Sequence, residues 1–80
     1  MAKYKLELKP IRIHGMAKLN EQDQQVFQIA LNSLIQFLQL VEGVSGVSLQ
    51  SDHSILIEGS EDLTTTLSQL HKEAYLTRIE

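Results

Sequence analysis

Residues 47–60, VSLQSDHSILIEGS, decide how the rest of the chain is read. Val47-Ser-Leu-Gln and Ile55-Leu-Ile-Glu are short apolar, β-branched runs, and Ser51-Asp52-His53-Ser54 between them is a polar turn. The pattern predicts a hairpin, after which Gly59-Ser60 supplies a loop and a helix N-cap. Upstream, Asn20 followed by Glu21 and Asp23 has the form of an N-cap with acids in the first turn, where they favour the helix dipole. A helix is therefore expected from about Glu21 to Glu42, with Gly43 as its left-handed terminator. Further back, YKLELK at residues 4–9 alternates apolar and polar. That alternation is a half-buried strand with Leu6 and Leu8 inward and Lys5, Glu7 and Lys9 outward. The apolar parity switches at Ile11 and Ile13, and a bulge at Pro10 would carry the strand on to His14-Gly15-Met16. Downstream, Leu63, Leu67, Leu70 and Ala74 recur as the stripe of a second helix. Tyr75 to Ile79 then has the β-branched and aromatic content of a last strand.

The order of elements is βαββαβ, or βαββα if the last strand is absent. For 80 residues in a single domain, 1–80, the compact solution is an α+β fold of ferredoxin-like type. Its antiparallel sheet would carry both helices on one face, and right-handed crossovers would put the first and third strands in the centre. Lys3, Lys5, Glu7 and Lys9 would then line the open face, and Tyr4, sharing the parity of Leu6, would face the helices.

Composition removes several functions. The chain has no cysteine, hence no disulfide, thiolate metal site or thiol nucleophile, and it suits a reducing compartment. Met1 to Lys9 is followed by no apolar core of a secretory signal, so a cytoplasmic location is expected. Residues 24–41 are long enough to raise the question of a membrane span, yet about a third of them are Gln, Asn or Ser, and no span is expected. Charge is unevenly spread. Residues 1–20 hold Lys3, Lys5, Lys9, Arg12 and Lys18 against Glu7, while the remainder holds Lys72 and Arg78 against nine acids.

The long helix carries more apolar surface than one small domain uses. At 100° per residue, Phe27, Ala30, Leu31, Leu34, Leu38 and Val41 form a core face. Val26, Ile29, Phe37 and Leu40 form a second cluster beside it, and Ile35 widens the other flank. The rest is Gln25, Gln28, Asn32, Gln36 and Gln39, with no charged residue from Gln24 to Val41. Amides can meet a partner without the cost of desolvating an ion, and Lys and Glu are depleted where surfaces close together. The expected contact surface is therefore Gln25, Val26, Ile29, Gln36, Phe37 and Leu40, offered to another protein or to a second copy as a homo-oligomer. The alternative is that the surplus lies beneath the segment from Ile11 to Leu19, with the amides merely solvated.

No catalytic constellation is present, and neither enzymatic activity nor a cofactor is expected. His14, His53 and His71 are too scattered for a local metal motif. Glu61 and Asp62 read as first-turn helix acids, and Ser60 as a cap. Thr64, Thr65 and Thr66 have no base placed beside them, and the glycines of EGVSG follow a helix where a phosphate loop would open one. Nucleic acid is the rival partner, through Lys3, Lys5, Lys9, Arg12 and Lys18. RNA-binding domains of this architecture stack bases on sheet aromatics, however, and only Tyr4 and Tyr75 are on offer.

Two resemblances bear on the architecture. Ile13-His-Gly-Met16, the run Gly43-Val44-Ser-Gly-Val47-Ser-Leu49 and the closing Ala74-Tyr75-Leu76 resemble the strand ends of the heavy-metal-associated domain, a ferredoxin-like module. The metal-binding cysteines of that family would fall at Lys18 and Glu21, so the resemblance implies the architecture without the metal. Val47-Ser48 and Ile55-Leu56-Ile57-Glu58-Gly59 are similar to the βαββα proteins of the DNA-damage-inducible protein I family. The acidic final helix of those proteins would correspond to Asp62 to Ala74, which holds only Asp62 and Glu73.

Overall fold

The computed structural model describes residues 2–70 and 74–80. In chain order the elements are β1 (Ala2–Leu8), α1 (Lys9–His14), a 3₁₀ turn (Met16–Lys18), α2 (Glu21–Leu38), β2 (Val44–Leu49), β3 (Ile55–Gly59), α3 (Thr64–Leu70) and β4 (Ala74–Arg78). The fold is α+β. The strands form one antiparallel sheet in the order β2-β3-β1-β4, which puts the first and third strands in the centre, as expected.

Alternation along β1 and β3 separates the two faces of this sheet. Ala2, Tyr4 and Leu6 of β1 lie opposite Gly59, Ile57 and Ile55 of β3, and all are buried. The same core takes in Leu31 and Leu38 of α2, Ile11 of α1, Leu67 of α3 and Leu63 just before it. Tyr4 faces the helices, as its parity with Leu6 required. The other face presents Lys3, Lys5 and Glu7 across from Glu58, Leu56 and Tyr75.

Four sequence expectations are corrected. The bulged extension of β1 to Ile13 is instead a short helix. Pro10 sits in its first turn, where a missing N–H has no consequence and φ near −65° is already helical. The turn carries Ile11 into the core and leaves Ile13 exposed, and Lys9 leaves the strand for the helix. The helix from Glu21 begins as expected, since Asn20 accepts the Asp23 N–H at 2.8 Å, but it ends at Leu38 instead of Glu42. Beyond Leu38 the backbone tightens into three-residue bonds, Leu40 N–H to Phe37 and Val41 N–H to Leu38. Gly43 does have positive φ, +92°.

The second helix starts at Thr64 instead of Ser60, and Ser60 donates to the Gly43 carbonyl. Asp62, read as a first-turn acid, precedes the helix and accepts the Thr64 N–H at 2.9 Å. Ala74, assigned to the helical stripe, opens β4 opposite Leu8. The stripe position Leu70 ends the helical backbone, and His71 lies outside the described residues.

The hairpin forms as read. His53 N–H bonds to the Gln50 carbonyl at 3.1 Å, closing a four-residue turn, and His53 itself takes φ 65° in the left-handed region. Asp52 secures the exit by accepting from both the amide and the hydroxyl of Ser54.

Candidate interaction surface

The second apolar cluster of α2 stays in solvent within this chain. Val26 is 56% exposed, Ile29 66%, Phe37 46% and Leu40 84%. The segment from Ile11 to Leu19 does not cover them. Leu31 and Leu38 are fully buried, and Phe27, Leu34, Ile35 and Val41 pack partly against the core. One side of the helix is thus spent on the domain and another is left over. Helical geometry places Val26, Ile29 and Phe37 within an arc of about 80°, and Leu40 follows in the turn just past the helix end. Ser33 falls in the middle of that arc and is exposed. Its small side chain allows another surface to approach closely, a detail hidden in sequence because serine scores as polar. Gln25 and Gln36 lie exposed beside the stripe.

The basic residues do not form one open cationic surface. Lys3 Nζ lies 3.3 Å from Glu80 and Lys5 Nζ 3.1 Å from Asp52. Arg12 lies 3.8 Å from Glu7 and stacks over the Tyr75 ring, 4.6 Å from its centre, with the Lys9 ammonium 5.8 Å from the same centre. Tyr75, the one aromatic on the open sheet face among the described residues, is thereby engaged by cations of its own chain. Lys18 is exposed on the 3₁₀ turn. A shallow depression of about 370 Å³ on the open face is lined by Lys5, Asp52, Leu56 and Ile79 among others, and its two charges neutralise each other.

Local hydrogen bonds perturb two carboxylates. The Ser54 hydroxyl and amide, with Lys5, lower Asp52 from 3.8 to about 2. The Thr64 amide and hydroxyl, then the Tyr4 hydroxyl and Arg78, lower Asp62 to about 2. Both shifts have structural causes, namely a turn and a helix start. Among the described residues no group of three or more His, Asp or Glu is arranged to hold a metal ion, and no helix is long and apolar enough to cross a membrane.

No protein-family model matches this chain, and no curated protein or solved structure matches it significantly.

Proposed function

We propose that this chain is a small non-enzymatic protein-interaction module that associates with a second copy of itself through α2. The exposure of Val26 and Ile29 on a helix whose opposite side already fills the core, and of Leu40 in the turn that ends it, carries the reading. Large apolar residues grouped in one stripe cost solubility unless something covers them. A second copy is favoured by charge. A two-fold contact sets a surface against itself, so each ionised side chain near the axis meets its like. From Gln24 to Val41 there is no ionisable side chain, so two copies bring no like charges together along this stretch. The flanking amides of Gln25 and Gln36 can hydrogen-bond across the rim.

The architecture belongs to the same reading. The sheet order and the joining of α2 and α3 to one core support a ferredoxin-like arrangement, to which α1 and the 3₁₀ turn are additions. The likeness to the heavy-metal-associated domain is taken for architecture alone, and the absence of cysteine accords with a reducing, cytoplasmic setting.

Sedimentation across a range of concentrations tests the function. The wild-type chain is expected to gain mass as concentration rises. In the Ile29→Lys, Leu40→Lys variant the fold is retained, and at least about tenfold more protein is needed for the same mean mass, the equivalent of about 1.4 kcal/mol. A wild-type chain that sediments as a single particle at every concentration refutes the proposal.

A further inference from the structure

A second surface invites a copy of this chain by different means. β2 is an edge strand, and its sequence, VSGVSL, has none of the lysine or proline with which edges are commonly guarded. The opposite edge is guarded: beside β4, Arg78 pairs with Asp62 at 3.1 Å and Arg12 covers Tyr75. The ladder identifies the residues of β2 that face outward. Gln50 N–H donates to the Ser54 carbonyl at 2.8 Å, the rung after Leu49↔Ile55. In an antiparallel ladder, residues directed at the partner strand alternate with residues directed away from it. Ser48 therefore turns its backbone groups toward Leu56, and Val47 and Leu49 turn theirs off the sheet. Leu49 also has an apolar side chain 38% exposed at this edge.

We infer that β2 pairs antiparallel with β2 of a second copy about a two-fold axis at Ser48, extending the sheet across the axis. In this register the N–H and C=O of Val47 bond to those of the copy's Leu49, and the reverse. Val47 then meets Leu49 on the helix-bearing face, and Ser48 meets its own counterpart on the open face. Apolar therefore lies against apolar and hydroxyl against hydroxyl, and no charge opposes its like. The uncharged run from Gly43 to Ser51 and this self-complementary order favour a copy over a foreign strand. The contact is separate from the α2 surface, and either can fail alone.

The test uses the Ile29→Lys, Leu40→Lys chain, in which the helix contact is disabled. Sedimentation is combined with amide hydrogen exchange read residue by residue. Weak association is expected at high concentration, with exchange at Val47 and Leu49 slowed by about tenfold or more relative to dilute protein. Adding Ser48→Lys abolishes both effects by facing two ammonium groups across the axis, and mixing Ser48→Lys with Ser48→Glu chains restores them. The inference is overturned if this background sediments as a single particle with fast exchange at both amides at every concentration. It is equally overturned if the chain associates while Val47 and Leu49 exchange as fast as in dilute solution, or if the Lys and Glu chains fail to rescue each other.

Discussion

The Tyr4 hydroxyl links the central strand to the start of α3. It accepts the Leu63 N–H at 2.7 Å and donates to Asp62 at 3.2 Å, from a ring fully removed from solvent. Replacing Tyr4 by Phe leaves the Leu63 amide without its acceptor in the interior, and urea titration should record a loss of about 1–3 kcal/mol. His53 has a different cost. A non-glycine residue in the left-handed region carries a penalty of about 1–2 kcal/mol, against which glycine loses roughly 0.5–1 through unfolded-chain freedom. His53→Gly is expected to raise stability by up to about 1.5 kcal/mol, and a lower denaturation midpoint would contradict this. Asp52 and Asp62 both titrate below the ordinary 3.8, at about 2. Because the folded value is the lower one, the stability they contribute is complete above 3.8 and is lost as pH falls through about 2. Asp52→Asn with Asp62→Asn should flatten the acid limb of a stability–pH profile across that window. Both groups are solvent-accessible, so the effect is small. Asn20, Asp62 and the hairpin turn are caps and bends whose roles depend on immediate neighbours, although Asp62 was displaced by one turn from its expected place.

Among the elements, α2 separates packing from display most clearly. Leu31→Ala should cost about 2–5 kcal/mol, the range for a buried leucine replaced by a smaller side chain. Ile29→Ala, on the same helix and more than half exposed, should stay within about 0.5 kcal/mol in dilute protein. Equal losses from the two would mean that Ile29 is covered within its own chain. The link from α2 to β2 depends on Gly43. A Cβ there would lie 2.9 Å from Leu63 Cδ2 and 3.0 Å from Glu61 Oε1, on a backbone already at φ +92°. Both the φ strain and the crowding act against Gly43→Ala, and a thermal midpoint equal to wild type would contradict this geometry. β1 was legible because alternation over several residues has no helical counterpart, and the other strands showed through their β-branched and aromatic runs beside turn residues. α1 was not, since Ile11 and Ile13 are too few to distinguish period two from a single helical turn, and Pro10 suits an edge strand and a first helical turn equally.

For the whole molecule, the decisive property is where charge lies. Lys3, Lys5 and Arg12 of the N-terminal segment are opposed by the carboxylates of Glu80, Asp52 and Glu7, while the apolar stripe of α2 lies in an uncharged stretch. Self-association through α2 should therefore respond weakly to ionic strength, its midpoint concentration moving less than about threefold between low and moderate salt. Nucleic-acid binding through several phosphate contacts would instead fall by orders of magnitude over that range. Sedimentation in a salt series, with a labelled oligonucleotide as a parallel sample, separates these behaviours.

Periodicity and capping are local, set by backbone geometry and near neighbours, and the chain alone determined by them the existence of α2, the hairpin and the inward turn of Tyr4. Coverage is not local. Whether Val26, Ile29 and Leu40 would lie beneath Ile11 to Leu19 depended on where a distant segment came to rest, and only the packed molecule decided it: α1 coils back onto the core with Ile11, and the stripe stays in water.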